Sequence, residues 1–390
     1  MESAMGVFLK TMFFYVLKLL LVPLRILPVK KNRILFTGLT GGKTNAYSCN
    51  LKYLCEYLEE KEPGRFEICW AVSEPENYRF LQEKGYKVVK HFTLGSFPVL
   101  MTAKVIVSNG AYAPWFPFRK SQYFINTWHG GGAYKKIENN KPDANWFTRK
   151  RAQICADNIS LFVSTCKAAS EKLFRGAFLY KGEIMEQGMP RNDKIVRQET
   201  EEQAAKVKKE YGLSPEDKIV LFAPTYRPEA AVITLDADKL LECLGQDGKH
   251  WYFMRRAHRY QNGYQIQVTG KKILEAGDYP DMQELLCASD VLITDYSSCI
   301  WEYSFLYRPC FLYTPDLDSY IKNTGFYTDI YEWPFPLCRT EEELYEKIEH
   351  YDENENRAKI QAHHQALGSC ESGRACEALT ERIKQVTGVK

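Results

Sequence analysis

Apolar residues fill the first stretch of the chain almost without a break. From Met5 to Leu27 only a few polar residues intervene, chiefly Lys10, Thr11, Lys18 and Arg25. On a helical wheel Ser3, Lys10, Lys18 and Arg25 fall within a sector of about 80°, so the three charges share one face. A spanning helix would carry Lys18 into the middle of the bilayer. A signal peptide would need a small-residue cleavage site, which Pro28-Val29-Lys30-Lys31 does not offer. The pattern predicts an interfacial helix over residues 1–30. Its apolar side lies in the acyl boundary, and its cations, extended by Lys30, Lys31 and Arg33, face anionic headgroups.

Beyond residue 30 the pattern changes to short β-branched or aromatic runs separated by helical segments. Arg33 to Thr37, Phe66 to Val72, Val88-Val89, Val105 to Ser108, Tyr123 to Ile125 and Leu161 to Ser164 read as strands, with a helix over Asn50 to Glu60. A charged stretch over 196–218, helical by composition and ending at Gly212, suits the join between domains. A second series then starts at Ile219. Strands separated by helical patterns imply βαβ units and parallel sheets. The expectation is an α/β chain of two Rossmann-like domains facing a cleft, residues 31–200 and 201–390. Terminal helices are expected over Glu341 to Val389, and the last of them is expected to cross back to the first domain. No short internal repeat is visible.

Composition narrows the function classes. At 390 residues the chain is long for one core and comfortable for two domains. Lys plus Arg 52 against Asp plus Glu 49 is too balanced for general nucleic-acid binding. The 12 cysteines show no Cys-x-x-Cys pair and no zinc spacing, and are read as reduced thiols. His363-His364 is read as a solvated pair rather than a metal site. Asp295, Glu302, Asp316, Asp318 and Asp329 form no readable metal motif. Gly41-Gly42-Lys43-Thr44 lacks the upstream glycine of a phosphate loop. No cofactor is required, although a pyrophosphate substrate is compatible with bound magnesium.

The chemistry gathers where strands end. Val291 to Thr294 runs into Asp295-Tyr296-Ser297-Ser298, and an apolar helix follows. Hydroxyls and backbone N–H groups at a helix start suit a phosphate, though Asp295 or Ser297 would equally serve as a helix cap. Tyr123-Phe124-Ile125 runs into Asn126-Thr127-Trp128-His129-Gly130-Gly131-Gly132, whose glycines allow close approach of a ligand. Ile219 to Phe222 ends in Ala223-Pro224-Thr225-Tyr226-Arg227, and Trp251 to Met254 ends in Arg255-Arg256-Ala257-His258. Open α/β sheets bind ligands at the carboxyl ends of their strands, so four such endings form a pattern.

With these motifs the sequence resembles the CDP-glycerol glycerophosphotransferases of teichoic acid and capsule synthesis. The likeness rests on Thr127-Trp128-His129-Gly130 with Lys135-Lys136, and on Gly188-Met189-Pro190-Arg191-Asn192-Asp193. It continues through Ala223 to Arg227, Arg256-Ala257-His258, Thr294 to Ser298, Arg308-Pro309 and Gly325-Phe326-Tyr327. Three positions depart from the usual pattern. Gly131-Gly132 stands where Thr-Pro is usual, Arg259 where Pro is common, and Glu302 where Asp is common. The resemblance puts the residue-302 carboxylate on the donor's polyol hydroxyls. A longer side chain beside a roomier turn leaves CDP-ribitol open as the donor in place of CDP-glycerol.

The resemblance implies the glycosyltransferase-B arrangement and transfer of a polyol phosphate to a lipid-linked glycan or polyol-phosphate acceptor. CMP is the leaving group, and the work is done at the cytoplasmic face of the membrane. Such a reaction needs positioning and charge stabilisation more than covalent chemistry. His129 is the expected general base, and His258 the partner of the leaving phosphate. Gly130, Arg191, Thr225, Arg227, Arg256, Ser297, Ser298 and Glu302 are expected on the donor, Lys135 and Lys136 on the acceptor. Two other readings stand beside this one. One is a nucleotide-sugar glycosyltransferase of the same fold; the other is a membrane-docked assembly factor with a degenerate cleft, against which the retained histidines and serines argue.

Overall fold

The computed structural model of the chain describes residues 12–13, 16–38, 47–110, 116–225, 232–245, 248–256 and 265–389. It divides into two compact units. The first comprises Met1–His129, Ile137–Asp193 and Cys370–Lys390; the second comprises Gly130–Lys136 and Lys194–Ser369.

The first unit is built on a sheet of β1 (Lys30–Thr37), β2 (Glu67–Val72), β3 (Lys87–Lys90), β4 (Ala103–Ser108), β5 (Tyr123–Asn126), β6 (Leu161–Ser164) and β7 (Glu183–Glu186). Its order is β3-β2-β1-β4-β5-β6-β7, and every pairing is parallel. The direction of winding reverses between β1 and β4, which makes their carboxyl ends a topological switch point. β6 is buried throughout and β4 at all but Lys104, as expected where helices cover a parallel sheet. Ile34, Phe36, Trp70, Val105 and Val107 pack with Leu51 and Leu54 of the helix Cys49–Lys61.

The second unit contains β8 (Lys218–Phe222), β9 (Val232–Asp236), β10 (Trp251–Arg255), β11 (Gln265–Thr269), β12 (Ile273–Glu275), β13 (Val291–Thr294), β14 (Cys310–Tyr313) and β15 (Leu337–Cys338). The main sheet runs β12-β10-β8-β13-β14-β15, again parallel, with β9 and β11 paired apart. Numbered from its own first strand, this sheet repeats the winding of the first unit. Its switch point lies between β8 and β13.

The boundary between the units differs from the one expected after residue 200. The chain crosses into the second unit at Asp193–Lys194, before the charged helix Glu201–Glu210, and residues 370–390, whose helix was expected to cross back, belong to the first. The cause of the return is burial: Leu379 and Ile383 of the helix Ala375–Thr387 sit in the first unit's core. The Asp193 carboxylate fixes the start of that helix, accepting from the N–H groups of Ala375 and Cys376 at 2.8 Å each.

Arg25, expected to share a helix face with Lys18, lies in the turn past the helical residues and is exposed. Its guanidinium donates to the carbonyls of Pro117 (3.2 Å) and Phe118 (2.6 Å), and Arg119 donates back to the carbonyls of Arg25 (2.9 Å) and Leu27 (2.7 Å). Pro23 lies in a short 3-10 turn, Val22–Ile26, that follows helical residues 16–21. Among the described residues no helix is long and apolar enough to cross a membrane.

Candidate active site

In the first unit the chain leaves β5 through Asn126 and turns sharply at Trp128, whose φ of +53° is unusual for a bulky residue. Such a backbone persists only where its surroundings hold it. Here the Asn126 Oδ1 accepts the Trp128 N–H at 2.8 Å, and the Asn50 Nδ2 donates to the Trp128 carbonyl at 3.0 Å. The turn delivers His129, half-buried, with its Nδ1 2.7 Å from the carbonyl oxygen of Asn109. A carbonyl only accepts, so Nδ1 carries the proton and the neutral ring has its lone pair on Nε2.

Arg191 supports this histidine from behind. Its Nη2 donates to the His129 carbonyl at 2.8 Å, its Nη1 lies 3.0 Å from the Cys49 Sγ, and its backbone N–H reaches the Asn50 Oδ1 at 3.3 Å. The rest of the Gly188 to Asp193 motif is architectural. The Glu371 carboxylate accepts from the Met189 N–H (3.1 Å) and the Asn192 Nδ2 (2.7 Å), while Asp193 anchors the last helix.

In the second unit the carboxyl ends of β8 and β13 are tied across the switch point. Asp295, fully buried, accepts the Thr225 N–H on both oxygens at 2.9 and 3.0 Å, and also accepts the Tyr296 N–H. Thr294 Oγ1 donates to the Ala223 carbonyl at 2.6 Å. Asp295 is therefore a bridge between two strand ends and not a helix cap. Ser297 and Ser298 stay half-buried at the start of the helix Cys299–Ser304, and the Ser298 side chain makes no capping bond. Glu302 is buried on that helix. Arg256 follows β10, donates one Nη to the Tyr279 carbonyl at 2.9 Å, and remains half-buried.

Lys135 and Lys136 lie in an antiparallel bridge to the Gly325-Phe326-Tyr327 motif. Lys135 pairs with Phe326, the Lys136 N–H donates to the Gly325 carbonyl at 3.1 Å, and the Tyr327 N–H to the Tyr134 carbonyl at 2.8 Å. Two sequence motifs thus form one structural piece. Arg308 serves the fold, donating to the carbonyls of Cys287 and Ser289. Arg227 and His258 lie outside the described residues, as does the glycine-rich loop before Tyr47.

The histidine pair was expected in solvent and is not there. His363 meets the Tyr134 hydroxyl at 3.0 Å, and the His364 Nε2 meets the Ser304 Oγ at 2.6 Å with its ring stacked on Phe305. Burial pushes both imidazoles down to about 4. Both are neutral when folded, whereas in the unfolded chain they take up protons nearer the ordinary imidazole value of 6.5. Stability from this source is complete above that value and is lost as pH falls toward 4. Thermal melts between pH 7 and 4.5 should show the decline, and His364→Asn should flatten part of it. Among the described residues no group of three potential metal ligands occurs. Three of the acidic residues weighed in the sequence have other partners: Asp316 accepts from the Tyr296 hydroxyl, Asp318 pairs with Arg339, and Asp329 accepts from the Tyr331 N–H.

Sequence reasoning missed Asn109, Asn50 and Cys49. Asn109 sits directly after β4, the neighbour of β5 in the sheet, so a strand-end Asn-Gly next to the Trp-His-Gly strand was the available signal.

The family model described as CDP-Glycerol:Poly(glycerophosphate) glycerophosphotransferase matches residues 20–385. A teichoic acid poly(glycerol phosphate) polymerase of Bacillus spizizenii is 30% identical over 352 residues, covering 85% of this chain and 87% of that one. The enzyme of the same description from Bacillus subtilis is 29% identical over 83% of this chain, but this chain spans only 44% of its length. A variant of the wall teichoic acid polymerase TagF has the same fold, with a TM-score of 0.79, 25% identity and 99% of each chain covered. On the match to the family model and the identity to the first of these polymerases, the chain belongs to the CDP-glycerol:poly(glycerophosphate) glycerophosphotransferase family.

Proposed function

We propose that this protein transfers glycerol phosphate from CDP-glycerol to a hydroxyl of a lipid-linked teichoic acid or capsular acceptor and releases CMP. It is a CDP-glycerol glycerophosphotransferase. The observation that carries the mechanism is the His129 tautomer, fixed by the Asn109 carbonyl at the edge of a glycine turn. The His129 Nε2 takes the acceptor's hydroxyl proton as that oxygen attacks the β-phosphorus. The bond from this phosphorus to the bridging oxygen breaks, and CMP leaves in line with the charge it has gained.

Arg191 acts as a positioning residue, because its guanidinium holds the His129 carbonyl. Thr225, Arg256, Ser297 and Ser298 bind the donor's phosphates from the switch point that Asp295 braces. Glu302 receives the donor polyol, and Gly130 leaves room for the approach. Lys135 and Lys136 meet the acceptor's phosphate. Arg227 and His258 are expected with the donor and the leaving group. The two units work as the halves of a glycosyltransferase-B enzyme. The family description and the polymerase relatives both name glycerol, which favours it over ribitol. The test is a side-by-side assay of CDP-glycerol and CDP-ribitol on one lipid-linked acceptor, with glycerol expected to be incorporated faster. Preferential incorporation of ribitol would overturn the donor assignment.

The enzyme works as a peripheral protein on the cytoplasmic face of an anionic membrane. Support comes from the N-terminal segment, where Phe13 is 61%, Leu19 71% and Leu20 70% exposed while neighbouring Leu21 is buried. Apolar side chains presented beside Lys18 suit an interfacial position. Removing residues 1–20 should abolish co-sedimentation with phosphatidylglycerol vesicles; retained binding would place the contact elsewhere.

A further inference from the structure

The second unit carries a cavity of about 750 Å³ at the β15 edge of its main sheet, within the size range of small-molecule sites. Its walls are the helix Glu341–Glu349, the start of the helix Glu353–Leu367 and the loop that leads into β15. None of the residues assigned to phosphotransfer lines it. Asn356, on the wall, is 6% exposed, and its Nδ2 has no acceptor. The Tyr351 hydroxyl, from the same wall, is buried and has no partner either. Burial raises the pKa of that hydroxyl and the Asn356 amide works against the rise, so the two are neighbours, yet they complete no hydrogen bond. Buried polar groups are nearly always paired, so two orphans on one cavity wall call for an explanation.

We infer that this cavity binds a neutral saccharide, with the Asn356 Nδ2 and the Tyr351 hydroxyl as its buried hydrogen-bonding groups. Charge argues against a phosphodiester chain. The lysines and arginine of the lining are already engaged: Arg339 with Asp318, Lys347 with the Leu337 carbonyl and Lys359 with Glu355. Glu346 and Asp352 add negative charge to the same lining. A hydroxyl both donates and accepts, so it suits a lining that holds an amide N–H as well as carboxylates. The rest of the lining is aromatic. Trp333 and Phe335 are buried there, and Tyr331 is 61% exposed. An aromatic face is negative and attracts the polarised C–H groups of a pyranose ring. A flat apolar face rimmed by hydroxyls matches both halves of this surface.

Saturation-transfer NMR on the full chain tests this with glucose, galactose, mannose and their N-acetylamino forms, and with glycerol 3-phosphate as the anionic control. At least one saccharide should bind. Asn356→Leu and Tyr351→Phe should each weaken it about 5- to 10-fold, the effect of one hydrogen bond. Tyr331→Ala should weaken it by about the same factor. The melting temperatures of Asn356→Leu and Tyr351→Phe should not fall, because neither group has a partner to lose in the free protein. Tyr331→Ala, on an exposed side chain, decides the matter if Asn356→Leu does not fold. The saccharide has two possible sources, the lipid-linked acceptor or a separate glycan. A higher acceptor KM in Asn356→Leu, with KM for CDP-glycerol unchanged, assigns it to the acceptor; unchanged acceptor KM with weakened saccharide binding assigns it to a separate glycan. Three results overturn the inference and leave phosphotransfer untouched: no saccharide bound, binding that Tyr331→Ala and Asn356→Leu do not weaken, or displacement of the saccharide by a lower concentration of glycerol 3-phosphate.

Discussion

His129→Ala is expected to lower the rate of CMP release by about 100- to 10,000-fold, the range that a positioned general base contributes. The melting temperature should change little, because the imidazole is only half-buried and its Nδ1 bond goes to a backbone carbonyl. Truncation leaves the turn intact, since Trp128 is held by Asn126 and Asn50 and the residue-129 carbonyl by Arg191. Donor affinity, read by titrating CDP-glycerol into the variant, should stay near that of the parent. Arg191→Ala distinguishes position from proton transfer. It removes the support of the His129 carbonyl but not the base, so its loss should be smaller, about 10-fold to 100-fold. Loss of activity in His129→Ala together with loss of fold would remove the support for His129 as base.

Asp295→Ala is expected to show the largest stability loss of the substitutions discussed. The carboxylate is fully buried and accepts N–H groups from Thr225 and Tyr296, so removal leaves buried donors without their acceptor. Each such donor costs about 1–3 kcal/mol, which puts the total for the two at roughly 2–6 kcal/mol. Denaturant unfolding should register this in the transition of the second unit, because both strands that Asp295 joins belong there. Asp295→Asn restores one acceptor but brings an amide N–H₂ toward N–H groups, so it should recover only part of the loss. Donor KM should rise in both variants, since Thr225 and Ser297 stand on the strand ends that Asp295 braces. A stable Asp295→Ala with normal KM would mean that the bridge has no such role.

Much of this organisation was legible because parallel strands buried on both faces are written as apolar runs. β4, β6 and β13 are buried almost throughout, as is β1 from Arg33 onward, and they stand out in the sequence. β14 was missed for the same physical reason. Cys310-Phe311-Leu312-Tyr313 follows the apolar helix Cys299–Ser304 closely, and short apolar runs look alike in helix and strand. The break between them lies at Tyr307, whose φ of +54° no residue pattern announces. β7, β12 and β15 are short elements with too few apolar residues to set a period, and β9 and β11 pair apart from the main sheet.

At the site, the chemistry-bearing side chains at strand ends were readable and their supports were not. The partner of His129 is a backbone oxygen, which any residue at 109 supplies. The histidine pair was misjudged because its helix is polar overall. Tyr134 and Ser304, which cover the pair, lie more than 50 residues away in sequence. Arg191 was expected on a donor phosphate, and its place behind His129 follows from a tertiary contact across 62 residues.

The most direct test of the central claim is product analysis with purified protein, a lipid-linked acceptor and CDP-glycerol, following CMP and phosphodiester formation together. The account predicts one CMP for each glycerol phosphate joined to the acceptor, with both products disappearing in His129→Ala. Release of a nucleoside diphosphate from a UDP- or GDP-sugar on the same acceptor, with no CMP from CDP-glycerol, would contradict it.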